Sequence, residues 1–292
     1  MLNTIMCPQC KKPMDFFDKA IKQAYKYEDC NRRCEGCKIG ASNAQTRPTY
    51  IFKNYKNNIP AELHDGIDDV LANSFNRNAR MGKPIRMGYS TSEDALTWIF
   101  FSYFVTKSKL STLQNLLSLN NPIDEILLWG VPIINKNQQE YVSKLTTTCL
   151  GFGENPKSFS EPDCIVITKT ECTFIEVKLN SPNDKNKEIL KYSKYISNNY
   201  KDFDKAISSS LYELIRNWTI GTEFSDGKEF TLINLGRENL FSEKNRNALN
   251  SFKNSLNEPH RFICKSWESI LKSKEFLSLD SWFINEIRER LA

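Results

Sequence analysis

Apolar residues in this chain fall into runs of two periods, and the most informative stretch, residues 161–178, reads E-P-D-C-I-V-I-T-K-T-E-C-T-F-I-E-V-K. Ile165-Val166-Ile167 and Phe174-Ile175 with Val177 are β-branched or aromatic runs of strand length, and the polar break at 168–171 is short enough for a hairpin. With a two-residue turn at Lys169-Thr170, or a four-residue loop over 168–171, residues whose numbers sum to 339 face each other. Asp163 then lies opposite Glu176, and alternation along the strand puts Lys178 on the face of Glu176.

Helical spacing predicts elements on either side. Leu63, Ile67, Val70, Leu71 and Phe75 make an apolar stripe over 60–75, and Leu96, Ile99, Phe100, Tyr103 and Phe104 make another behind Ser90-Thr91-Ser92-Glu93, which carries a capping-box signature. A short helix near 113–119 precedes a buried strand over 125–134 that carries Trp129. Residues 135–160 are polar and weakly patterned. Beyond the hairpin, Phe203, Ile207, Leu211, Leu214, Ile215 and Trp218 predict one strong helix. Strands follow at 230–235 and 262–264, and helices at 267–277 and 281–291. The central order is helix, strand, hairpin, helix, strand.

The length of 292 residues is enough for one large domain or two. With 40% hydrophobic and 26% charged residues, the composition is that of an ordinary globular protein. No apolar run reaches membrane length, the longest lying over 126–134, so the expected location is the cytoplasm with no membrane partner. The net charge is +5, and residues 1–47 hold nine Lys or Arg against five Asp or Glu. That excess hints at nucleic acid but is reduced if the local cysteines bind a metal as thiolates.

Five of the nine cysteines crowd into residues 7–37, which favours reduced thiols and a metal site over disulfides. Cys7-Pro-Gln-Cys10 and Cys34-Glu-Gly-Cys37 are two C-x2-C knuckles separated by 23 residues, near the spacing of a zinc ribbon. Cys30 adds a C-x3-C-x2-C pattern with Cys34 and Cys37 and leaves an iron–sulfur alternative open. His64 and His260 have no ligand partner at metal spacing and are read as structural.

The hairpin carries the chemistry. Two carboxylates facing each other across adjacent strands repel unless a cation or a proton sits between them, and a shared divalent metal resolves this. The alternative is an ordinary Glu176–Lys178 ion pair on an exposed sheet face. Glu93 has two readings, a capping-box residue or a third acid near the metal. Tyr212 and Arg216, one turn apart, can reach a phosphate if their face borders the cleft; a solvated face is the plainer reading.

Pro162-Asp163, Glu176-Val177-Lys178 and the helix begun by Ser92-Glu93-Asp94 resemble the PD-(D/E)XK nuclease superfamily over roughly residues 85–240. A second [D/E]-x-K, Asp226-Gly227-Lys228, sits in a turn and is rejected. The resemblance implies an α/β restriction-endonuclease-like αβββαβ core, a mixed sheet flanked by helices, over residues 85–292. A zinc-ribbon-like module over 1–47 and a connecting segment over 48–84 precede it. It implies Mg²⁺ or Mn²⁺ held by Asp163, Glu176, the Val177 carbonyl and Glu93, with Lys178 orienting water or neutralising the transition state. Structural zinc on Cys7, Cys10, Cys34 and Cys37 completes the expectation. The implied partner is nucleic acid, DNA foremost; a homodimer is compatible with the sequence. The competing readings are a non-catalytic nucleic-acid-binding scaffold and a protein-interaction module.

Overall fold

The structure, a computed structural model, describes residues 5–17, 23–44, 48–135, 139–183 and 188–292. Lys185 and Lys187 lie outside these residues. The protein is mixed α/β, and among the described residues its strands form two sheets.

The first sheet is antiparallel, with strands β1 (Asp15–Phe16), β2 (Arg32–Cys34), β3 (Ile39–Ala41) and β4 (Tyr50–Phe52) in sequential order. It extends past residue 47 because Ile51 pairs with Gly40. β4 also bonds to the chain ahead of the third helix, where Phe52 N donates to Gly88 O and Ser90 N to Tyr50 O, each within 2.9 Å. The span 48–84 is therefore more than a connection. It holds β4, helix α1 (Ile67–Asn73) and the start of α2 (Lys83–Met87). The single helix predicted over 60–75 is divided, with a 3₁₀ turn at Ala61–Leu63 and Gly66 in the left-handed region ahead of α1, yet its whole apolar stripe is buried.

Helix α3 (Glu93–Thr106) is buried along most of its length, and α4 (Leu110–Leu117) follows it. The strand predicted over 125–134 is instead a tight hairpin of β5 (Ile123–Leu128) and β6 (Val131–Pro132). Trp129 and Gly130 both have positive φ, 51° and 80°, as a two-residue hairpin turn requires. The polar stretch after it contains a helix, α5 (Gln139–Gly151), which buries Leu145 and Cys149. The predicted hairpin is present as β7 (Cys164–Thr168) and β8 (Glu171–Val177), joined by Lys169-Thr170. Its register pairs Cys164 with Ile175 and Ile167 with Cys172, each summing to 339.

The one helix expected over 203–218 is two, α6 (Phe203–Ser208) and α7 (Tyr212–Ser225), broken where Ser210 adopts φ 58°. After β9 (Glu229–Gly236) comes an unpredicted helix, α8 (Glu243–Ser255), then β10 (Phe262–Ser266). The segment 267–277 divides at Ser273, whose hydroxyl caps the second piece, into α9 (Trp267–Lys272) and α10 (Lys274–Leu277). α11 (Ser281–Leu291) closes the chain.

The second sheet runs β10-β9-β8-β7-β5-β6. β7 is antiparallel to both of its neighbours, β5 and β8, whereas β9 joins β8, and β10 joins β9, in parallel. Each face has its own core. Cys164, Val166, Ile175, Val177, Ile233 and Leu235 pack with α1, α3, α4 and the closing helices. Ile165, Ile167, Phe174 and Leu232 pack with α5, α6, α7 and α8. Both faces being covered explains the near-continuous apolar runs of β7 and β9. Gly221 lets α7 lie close on the sheet, since a Cβ there would meet the Phe230 ring at 2.2 Å.

Candidate active site and four-cysteine centre

Continuing the hairpin register by one residue places Asp163 opposite Glu176, and in the parallel register Glu176 pairs with Asn234. Paired residues share a face, and alternation from Phe174 and Leu232 puts this row beneath α7. The carboxylate of Asp163 accepts Val177 N–H at 2.8 Å through Oδ2, while Oδ1 makes no hydrogen bond among the described residues. So it is the amide of Val177 that is engaged here. Trp129 N donates to Asp163 O at 3.2 Å, which fixes the backbone from the other side.

Glu176 is buried and fully engaged. Its Oε1 lies 2.7 Å from Lys178 Nζ, and its Oε2 accepts from Asn217 Nδ2 at 2.7 Å. Lys178, also buried, reaches Glu213 at 2.8 Å. Its backbone is held on both sides, with N–H to Leu235 O at 2.8 Å and C=O accepting Trp267 Nε1 at 3.1 Å. The Glu176–Lys178 pair is thus interior, not on an exposed sheet face. Among the described residues the second [D/E]-x-K is a turn, where Asp226 has φ 49° and pairs with Lys144 at 3.1 Å.

Electrostatics follow from this crowding. Burial and the neighbouring Glu176 push the Asp163 carboxyl well above the ordinary range, opposed by Lys178. Burial also raises Glu176, with Lys178 pulling against it. For Lys178 burial opposes the charge, but Glu176, Glu213 and Asp163 outweigh it and the ammonium is held. Asp94 adds a further negative field at Asp163.

Glu93 does not occupy the expected capping-box position. Ser92 is the N-cap, its hydroxyl accepting Ala95 N–H, so Glu93 is the first helical residue rather than the third. Its carboxylate holds the chain just past β8, accepting Leu179 N–H at 2.7 Å and the Ser181 hydroxyl at 2.6 Å. Among the described residues it forms no three-acid group with Asp163 and Glu176. Tyr212 and Arg216 do border a cleft, and Arg216 donates to Asn217 Oδ1 at 3.4 Å while Nδ2 of the same amide donates to Glu176. Glu213, Asn217 and Asn234 were not singled out in the sequence, their only signal being polarity within apolar stretches, and Asp94 entered only with the start of its helix. Asn234 is fully buried, and among the described residues neither of its side-chain amide atoms is hydrogen-bonded.

The four-cysteine centre is explicit. The sulfurs of Cys7, Cys10, Cys34 and Cys37 all lie within 4.8 Å of one another, with Cys10 and Cys34 at 3.7 Å. A tetrahedron with metal–sulfur bonds of ~2.3 Å sets its sulfurs about 3.8 Å apart, so the group could hold one metal ion such as zinc. The Lys12 amide lowers the Cys10 thiol to about 7, whereas burial and neighbouring sulfurs push Cys37 up to about 12. Cys30 is outside the group. Its thiol contacts Lys26 O at 3.6 Å, and it packs so tightly on Gly40 that a Cβ there would meet Cys30 Sγ at 2.4 Å. His64 is structural, its Nε2 lying 2.9 Å from Lys56 O and from Ile59 O. Among the described residues no helix is long and apolar enough to cross a membrane.

No protein-family model, curated protein or solved structure matches this chain.

Proposed function

We propose that this chain is a metal-dependent nuclease of the PD-(D/E)XK type, acting on DNA, with a zinc-bound amino-terminal module. The observation that carries the reading is the hairpin register, which sets Asp163 and Glu176 against each other with Lys178 on the face of Glu176. Three antiparallel strands followed by a helix and a parallel strand agree with a restriction-endonuclease-like core.

The donor set suits a small hard cation. Two carboxyl groups are disfavoured as anions beside each other, and one oxygen of Asp163 stands open. Asp163 and Glu176 would hold Mg²⁺ or Mn²⁺, which when bound acidifies a water and polarises the phosphate. Lys178 supplies a fixed positive charge for the developing phosphorane, and Glu213 and Asn217 keep it and Glu176 in position. Glu93 anchors the segment leaving Lys178 rather than adding a ligand.

The reading is tested by incubating plasmid and linear DNA with Mg²⁺ or Mn²⁺. Cutting that EDTA abolishes, and that Glu176→Ala and Lys178→Ala remove without loss of DNA binding, is the expected result. The competing reading is a non-catalytic nucleic-acid-binding scaffold, favoured by the closure of both Glu176 oxygens by Lys178 and Asn217. It is upheld by DNA binding with no cutting under any divalent metal.

A further inference from the structure

Beside the carboxylate row lies a cleft of 310 Å³ with an almost wholly polar lining. Its lining includes Arg86 and Glu161, the latter two residues before Asp163, together with Glu154, Lys194, Tyr195, Tyr212 and Arg216.

The acids of this cleft are already matched. Glu154 accepts the Ser160 hydroxyl and, at 2.6 Å, the Tyr195 hydroxyl. Glu161 accepts Asn76 N–H at 3.0 Å and pairs with buried Lys83 at 2.6 Å. The cations are not matched in the same way. Arg216 makes only 3.4 Å contacts with the amide of Asn217, and neither it nor Lys194 has a carboxylate within ion-pair distance among the described residues. Arg86 holds Asp94 at 3.4 Å but is half exposed. Burial opposes the Arg216 charge and the fields of Glu176, Glu213 and Glu154 hold it, yet among the described residues no carboxylate pairs with it directly, so guanidinium donors facing a polar cleft are left for an anion that approaches from solvent.

Shape narrows the class of anion. The guanidinium of Arg216 lies 5.8 Å from the Tyr212 ring centroid, so a cation and an aromatic face stand together, the pairing that lets proteins hold unstacked bases and their phosphates. The cleft, at 310 Å³, is of single-nucleotide size, which fits one unpaired nucleotide better than a base pair. Asn217 links the two regions directly, sharing its amide between Arg216 and Glu176.

We propose that this cleft seats one nucleotide of an unpaired nucleic-acid strand, its phosphate on Arg216 and Lys194 and its base or sugar against Tyr212. The proposal rests on the nuclease reading for its position beside the scissile bond, and it makes a single-stranded segment or frayed end the substrate.

Binding of a short fluorescein-labelled single-stranded DNA and of the same-sequence duplex is measured by anisotropy in EDTA, where no cutting occurs. The single strand is expected to bind more tightly. Arg216→Ala should weaken it about tenfold, the scale of a lost charge-assisted hydrogen bond, and Arg216→Lys should restore part of that loss. Lys194→Ala, on the exposed rim where folding is not at stake, should weaken binding and lower the slope of log affinity against log salt by roughly 0.7. Single-strand binding unchanged in both Ala variants overturns the subsite, as does a duplex preference that both variants retain. If binding follows the expectation but the wild type cuts nothing with Mn²⁺, the catalytic reading fails and the subsite stands. If the wild type cuts and neither variant alters binding, the nuclease reading stands and the subsite falls.

Discussion

Removing the ammonium of Lys178 while keeping its methylene bulk, as in Lys178→Met, isolates the role of charge beneath α7. The side chains of Lys178 and Glu176 are only 9% and 5% exposed, while Glu213 keeps 22% of its surface. Breaking a buried pair costs ~3–5 kcal/mol because the remaining charge is stranded. Glu176 has a cheaper way out, since protonating a carboxyl of ordinary pKa at pH 7 costs about 3.5 kcal/mol, which caps its share of the loss. Glu213 can turn towards water and adds little. The expected loss is therefore about 3 kcal/mol, or roughly 6 °C in Tm for a chain of this size. Glu176→Gln should be milder, because Lys178 retains Glu213 at 2.8 Å. The double variant should recover most of the Lys178→Met loss, a coupling of at least about 1.5 kcal/mol. In Lys178→Met the folded pKa of Glu176 rises further above its unfolded value, so the deficit is largest at neutral pH and closes as pH falls towards the unfolded carboxyl range. Urea denaturation of the four proteins at two pH values measures all of this. A Lys178→Met protein as stable as wild type at pH 7, or a double variant no better than Lys178→Met, would refute the interior ion-pair account.

Asp163 gives a second pH test. Its folded pKa is raised, so its contribution is present below the unfolded value and lost as pH rises through the folded one; Asp163→Asn should therefore stabilise the apo protein progressively from mildly acidic to alkaline pH, by thermal melts. Mn²⁺ should raise the Tm of wild type and leave that of Asp163→Asn unmoved, because binding to the native state alone stabilises it. Elemental analysis should find one zinc per chain, and Cys34→Ser should abolish it, whereas Cys30→Ala should retain zinc and lose stability as a buried packing residue. Equal zinc in both cysteine variants would break that assignment.

How much of this was legible depended on which residues carried the signal. The hairpin register could be read because a connection of even length leaves the parity of facing residues fixed, and the polar break at 168–171 allowed only a few lengths. The cysteine spacing likewise singled out two knuckles. Setting aside Cys30 needed the Gly40 contact, which is tertiary. Helices α5 and α8 escaped because each buries only a few residues, Leu145 with Cys149 and Leu249 with Phe252, among many Thr, Lys, Asn and Ser. The Trp129 turn escaped because a buried Trp in the left-handed region is uncommon, and apolar neighbours on both sides read as one strand. Glu213 and Asn217 look like a solvated helical face until α7 is laid on the sheet. Their importance lies in what the sheet presents to them.

The anchorage of Glu93 has a consequence for how the two sheets communicate. β4 is bonded to residues 88 and 90, Ser92 starts α3, and Glu93 grips the backbone immediately beyond Lys178. A short mechanical linkage thus runs from the cysteine sheet to the lysine. If loading of the sulfurs tightens β4, the strand end at Lys178 is tightened with it, and by thermodynamic reciprocity a ligand that prefers the tightened strand end must strengthen metal retention by the same factor. The amino-terminal module would then act as a fastener for the hairpin, and its metal as a clamp whose hold can be measured from the far end.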